Sequence, residues 1–144
     1  MNTVDVNVLV AASRSDHPSH EAALAWLNGA LAEAQTGGSL VLFSMVSLGF
    51  LRVSTHPRVF VSPTPLGSAW AFLDALRQAP GVDLVEGETP WTELKELSIG
   101  RALTGNDLPD AWLAAKVRRE HLKLATFDKG FKRMLRPSML NLLA

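Results

Sequence analysis

The chain has 144 residues, no cysteine and a formal net charge of zero. That length suits one domain burying roughly two thirds of its unfolded surface. The absence of thiols excludes disulfides, thiolate metal sites and cysteine nucleophiles, so any metal chemistry must use oxygen or imidazole ligands.

The start, "MNTVDVNVLVAA", has no basic region ahead of its apolar run, and "LVLFSMVSLGFL" is too short and too broken by serines to span a bilayer. A soluble, cytoplasmic protein is expected. "TVDVNVLVAA" reads as a short buried strand passing into a turn, and "HPSHEAALAWLNGALAEA" as a helix with Ala22, Trp26, Ala30 and Ala34 at helical spacing, stopping at "TGGS". "SLVLFS" is a second strand. "MVSLGFLRVST" is a helix that must end before Pro57, because the residue preceding proline resists the α region. "TPLGSAWAFLDALRQAPG" is a further helix, with Trp70, Leu73 and Leu76 or Arg77 on one face, and "VDLVEG" is a strand. "TPWTELKELSIGRAL" is a helix with a hydroxyl cap and a proline in its first turn. After the turn "TGN" come the helix "DLPDAWLAAKVRREH", the strand "KLATF", the short helix "KGFKRML" and the extended piece "MLNLLA". Strands alternating with helices predict one α/β domain over residues 1–144, its central sheet mainly parallel and flanked by helices on both faces.

The zero net charge hides an asymmetry. Residues 1–100 hold 5 Lys or Arg against 10 Asp or Glu, and residues 101–144 hold 9 against 4, so the balance runs from −5 to +5. The basic part includes Lys116, Arg118, Arg119, Lys123, Lys129, Lys132, Arg133 and Arg136. A positive surface beside an acidic metal site suits a polyanion such as nucleic acid. A pair of solvated helix faces is the plainer reading of the same residues.

Function in parallel sheets gathers at the carboxyl ends of the strands. Asp5 leaves the first strand, Asp128 leaves "KLATF", and Asp110 sits in the first turn of "DLPDAWLAAKV". Singly, each could be a helix cap or a complement to a helix dipole. Together they imply a compensating cation, since clustering like charges costs free energy. Carboxylates with no cysteine and no well-placed histidine pair select Mg²⁺ or Mn²⁺. His17 and His20, three apart and close to Asp16, could begin a zinc site, but with no third ligand in view they read as surface residues at a helix start. His56 and His121 stand alone, and the tryptophans read as core or interface residues.

In this order, "VDVNVLVAA", "SMVSLGFLRVSTHPRVF", "NDLPDAWLAA" and "LATFDKGF" resemble the PIN domain, and more closely the VapC-type toxins of VapBC toxin-antitoxin modules. The likeness covers essentially the whole chain; the D-x-N-x-L start, the DAWLAA helix and the T-x-D-x-x-F finish are specific jointly and weak singly. It implies a Mg²⁺- or Mn²⁺-dependent endoribonuclease, toxic through cleavage of cellular RNA and neutralised by a cognate VapB-type antitoxin. By position Asp5, Asp110 and Asp128 match the family's metal-binding acids, and Asn7 matches the polar residue after the first. A homodimer is also expected. Leu48, Phe50 and Leu51 in "SLGFLRV" either offer a surface to a partner helix or face the core.

Two departures stand out. PIN domains usually carry a glutamate in the helix after the second strand, whereas "SMVSLGFLRV" has no acid and Gly49 stands near that place. Gly130 follows Asp128 by two, where relatives often have another aspartate. Asp107, three before Asp110 and on the same side of the first turn, is the candidate replacement for the glutamate; its other reading is helix N-cap. Expected chemistry is metal-assisted hydrolysis of an RNA phosphodiester, with Lys and Arg of the C-terminal part on the phosphates. Among rivals, a haloacid-dehalogenase-type phosphotransferase needs a second aspartate where Asn7 stands, and a receiver domain wants an acid pair and a late lysine that cannot be assigned. A degenerate PIN domain acting only as a binding module draws support from the missing glutamate.

Overall fold

The structure is a computed structural model describing residues 1–144. Strand β1 is short, Asn2–Val4, and the chain does not continue as a strand. Asp5 stays extended at φ −84° and ψ 159°, its carboxylate accepts from Val6 N, and helix α1 follows over Val6–Ser13. The strand-to-turn reading of "VNVLVAA" is thereby corrected. Val8, Leu9, Val10, Ala11 and Ala12 are all buried, so α1 is apolar around most of its circumference and leaves no helical periodicity to read.

The remaining elements are α2 (His20–Gln35), β2 (Leu40–Val41), α3 (Ser44–Ser54), α4 (Leu66–Gln78), β3 (Val82–Asp83), α5 (Trp91–Gly100), α6 (Asp107–Arg119), β4 (Lys123–Thr126) and β5 (Leu140–Leu142). Two 3₁₀ turns, Lys129–Arg133 and Pro137–Met139, join β4 to β5. Helix faces are shifted from the expected phase. In α2 the buried residues are Ala23, Leu27, Ala30 and Ala34, while Ala22 is exposed and Trp26 half-buried; the small side chains face α1, on which α2 packs. In α4 Ala69, not Trp70, joins Leu73 and Leu76 in the core. Pro90 precedes α5 as its N-cap residue with no side-chain cap, and the Thr89 hydroxyl instead lies 3.4 Å from Trp112 Nε1.

All five strands are parallel, in the order β3-β2-β1-β4-β5. Right-handed crossovers put α1 to α4 on one face and α5 with α6 on the other. The chain runs outward from β1 to β2 and β3, then returns to the other side of β1 for β4. The β1/β4 boundary is therefore the topological switch point, where open parallel sheets bind ligands. One cluster of 29 buried residues forms the core. Phe50 is fully buried in it against Phe72, ring centroids 5.2 Å apart, a burial worth about 2–3 kcal/mol. Of the three residues considered as a partner surface, then, Phe50 faces inward, Leu51 is half-buried and Leu48 is exposed. No helix is long and apolar enough to cross a membrane.

Candidate active site

Asp5 immediately follows β1 and Asp128 lies two residues beyond β4, so the switch point brings them to one edge of the sheet. Asp110, in the first turn of α6, arrives from the face opposite α1. All three line a single cavity of about 630 Å³, together with Asn7, His17 and Arg52.

Asp5 is held at both oxygens. Oδ1 accepts from Val6 N at 2.7 Å, and Oδ2 accepts from the Thr126 hydroxyl at 2.7 Å and from Asn7 Nδ2 at 3.3 Å. Thr126 Oγ1 in turn accepts from the Asp128 backbone N–H at 3.0 Å, and Asn7 Oδ1 accepts from Phe127 N at 3.3 Å. Thr126 and Asn7 thus tie the first acid to the segment carrying the third. Asp128 Oδ1 accepts from Gly130 N at 2.7 Å and caps the 3₁₀ turn. A Cβ on Gly130 would lie 2.9 Å from that same oxygen, so a larger residue here requires the Asp128 carboxylate to turn.

Asp110 has no such support. Its pKa is pushed up to about 6, by burial first, then by the charges of Asp5, Asp128 and Asp107, with Arg133 opposing. Asp5 is also raised, chiefly by burial and in lesser part by Asp128, against the lowering hydrogen bonds from Thr126 and Val6. These shifts place the three acids within reach of one another's fields, the condition that favours a cation between them.

Asp107 is the first residue of α6, not its cap; the N-cap is Asn106, which makes no side-chain cap bond. Its carboxylate lies 3.5 Å from Arg133 Nη2 and is not a wall of the cavity. At the place of the absent glutamate a Cβ on Gly49 would sit 2.7 Å from Val6 Cγ2, so the Val6 side chain would have to shift, and Gly49 lines a cavity of about 330 Å³ shared with Asp5 and Asp110. One turn on, Arg52 reaches the cavity. The sequence pointed to neither Arg52, Thr126 nor the facing of His17, whose Nδ1 accepts from Ser19 N at 3.0 Å. The T-x-D spacing was the one available signal for Thr126.

The donors suit a hard cation: carboxylate oxygens and no thiol. Neither these acids nor any other set of three acidic or histidine side chains is already drawn together into a metal-holding group. Of the basic residues counted on the chain's C-terminal part, Lys116 is not at the surface. It is fully buried, its Nζ donating to the carbonyls of Glu86 at 3.2 Å and Glu88 at 3.3 Å.

The model of the PIN domain matches residues 3–136, and the chain belongs to the PIN domain family. Ribonuclease VapC43 of Mycobacterium tuberculosis is 39% identical over 138 residues, covering 94% of this chain and 91% of the relative. Ribonuclease VapC25 of the same organism is 32% identical over 134 residues, covering 92% of each. Among solved structures, VapBC2 from Rickettsia felis bound to a promoter DNA fragment shares the fold at a TM-score of 0.69 and 18% identity, covering 99% of this chain and 98% of that one. M. tuberculosis VapC20, a Sarcin-Ricin loop cleaving toxin, aligns at a TM-score of 0.62 and 10% identity over 92% of each chain.

Proposed function

We propose that this chain, as one nuclease domain over residues 1–144, is a metal-dependent endoribonuclease and the toxin of a type II toxin-antitoxin pair. The observation that carries the reading is the meeting of Asp5, Asp110 and Asp128 in one cavity, with Asp110 pushed up to about 6 by burial and by its acidic neighbours. Relatives at 39% and 32% identity that are named ribonucleases support RNA as the substrate.

Asp5, Asp110 and Asp128 would hold the ion, Mg²⁺ or Mn²⁺ by donor chemistry. Bound there, such an ion supplies a more acidic water for in-line attack and stabilises charge developing on the phosphate. Thr126 and Asn7 keep the Asp5 carboxylate oriented, and the Gly130 amide fixes one oxygen of Asp128 while leaving the other free. Asp107 adds the fourth negative charge from the rim, acting on Asp110. Arg52 brings a cation to the cavity on the helix that carries the glutamate in other PIN domains.

A VapB-type antitoxin is the proposed partner, with self-pairing as a homodimer and action in the cytoplasm, where the RNA is. The solved VapBC2 assembly supports such a partner. Purified protein incubated with RNA should cleave it with Mg²⁺ or Mn²⁺ present. EDTA and Asp5→Asn should each abolish the cleavage. The lack of any acid in α3, where Gly49 lines a cavity with Asp5 and Asp110, favours a second reading, a binding module without nuclease activity. RNA binding with no cleavage in any divalent ion would select it.

A further inference from the structure

Resting on the nuclease reading, we propose that a second, strongly basic cleft beside the carboxylate cavity holds the phosphates flanking the scissile bond of a single RNA strand. The cleft, about 400 Å³, is walled by Arg101, Arg118, Lys132, Arg133 and Arg136 over a floor that includes Met134, with no carboxylate among its walls. Arg101 comes from the end of α5, Arg118 from the end of α6, and the other three from the segment after β4. Three separate stretches therefore converge like charges on one concavity, at an electrostatic cost that a polyanion removes.

Only Arg133 has an acidic partner, Asp107 at 3.5 Å; none of the other four forms an ion pair. Two of the guanidinium groups are anchored by backbone carbonyls. Arg101 Nε donates to Arg133 O at 2.7 Å, and Arg133 Nε donates to Gly130 O at 3.3 Å. Their remaining N–H groups form forks suited to phosphate oxygens, with less side-chain freedom to lose on binding.

Arg133 also fixes the relation between the cleft and the acids. It lines the cleft, pairs with Asp107 in the first turn of α6, and its charge is felt by Asp110. A strand lying in the cleft is thus led past Arg133 to the cavity, placing successive phosphates on cations and the next one at the carboxylates. An acidic peptide could pair with the same cations, but the track ends at acids that have a use for a phosphodiester and none for a carboxylate. Grooves of this kind bind single strands through their backbones.

The test uses a fluorescein-labelled single-stranded RNA in EDTA, with binding read by anisotropy, and full-length Arg118→Ala, Lys132→Ala, Arg136→Ala and the triple variant. All three side chains are exposed, so thermal melts should match the wild type. Each single variant should bind about 3- to 10-fold more weakly, and the slope of log affinity on log salt should flatten by about 0.7 for each phosphate that is no longer neutralised. With divalent ion present, KM should rise while the rate at saturating RNA holds. Arg77→Ala removes the same charge from α4, which packs on β3 at the far edge of the sheet, and should change little. A triple variant binding RNA as tightly as Arg77→Ala overturns the proposal. So does one that loses a VapB-type partner while keeping RNA. If the wild type cleaves nothing and the triple variant still loses RNA, the nuclease reading falls and the cleft stands as an RNA site.

Discussion

The Thr126 hydroxyl donates to Asp5 Oδ2 at 2.7 Å across 121 residues of sequence, and the same hydroxyl oxygen accepts the Asp128 amide at 3.0 Å. One side chain at the end of β4 therefore sets the positions of two acids. Thr126→Val keeps the shape and removes these bonds and the one accepted from Asn7 Nδ2 at 3.3 Å, at an expected cost of about 1–3 kcal/mol. Asp5 then becomes harder to ionise, since the Thr126 bond is the largest influence lowering its pKa. Isothermal titration should show divalent-ion affinity falling at least about tenfold, with Thr126→Ser close to wild type. Unchanged affinity in Thr126→Val would remove Thr126 from the site.

Asp110 gives the metal-free protein a pH dependence of definite sign. Its folded pKa of about 6 exceeds the ordinary 3.8. Between those values the folded chain binds more protons than the unfolded one, so stability falls as pH rises through that window. Asp5, also raised, acts in the same direction. In Asp110→Asn the fall should be blunted, with the metal-free Tm above wild type near pH 8 and equal to it near pH 4. Added Mg²⁺ or Mn²⁺ should stabilise the wild type increasingly as pH rises past 6. An Asp110→Asn protein with the wild-type pH profile would contradict the crowded-acid account.

Restoring the usual glutamate should cost stability through Val6. In Gly49→Glu the new Cβ falls 2.7 Å from Val6 Cγ2, and overpacking of this kind costs about 1–3 kcal/mol. Leaving glycine behind in a helix returns up to about 1 kcal/mol. The net expectation is a lower Tm and weaker cleavage. Val6→Ala in the same chain should recover the stability, and a Gly49→Glu protein more stable than wild type would show that α3 has room at this position.

Asp107→Ser separates a rim charge from a ligand. The exposed Asp107–Arg133 pair is worth about 1 kcal/mol or less, so the fold should survive with little change. Loss of one like charge should let the Asp110 pKa fall, measurable by NMR titration. Cleavage within about threefold of wild type supports a three-acid site. A collapse of both metal affinity and cleavage makes Asp107 a fourth ligand.

Arg14 braces the loop that walls the cavity. It is nearly buried, bonds Asp16 at 2.9 and 3.2 Å, Thr64 Oγ1 at 3.1 Å and the Ser62 carbonyl at 2.9 Å, and lies 3.8 Å over the Phe60 ring. Val59 and Phe60 line the cavity. Arg14→Lys keeps the charge and loses the fork, so amide exchange of residues 58–64 should accelerate while α6 exchanges as before.

Local chemistry made much of this legible. Pro57 stops α3, the apolar "KLATF" is β4, and the order of strands and helices requires a parallel sheet with acids at its carboxyl edge, all written within a few residues of chain. The same window misread α1, because an all-round buried helix has no polar face and "VDVNV" happens to alternate. The capping of Val6 by Asp5, a contact one residue long, was local too, but its consequence depended on what the apolar run could pack against.

Composition and spacing by themselves determined the class of fold and which three aspartates stand at element ends. Only the tertiary structure decided that Thr126 and Asn7 orient Asp5, that Lys116 is interior, that Asp107 turns to Arg133, and that Val6 crowds the Gly49 position. Each of those outcomes is a contact between segments brought together by strand order and helix packing. Side-chain direction there is set by the space and charge that distant segments leave, and nothing in the neighbouring residues encodes it.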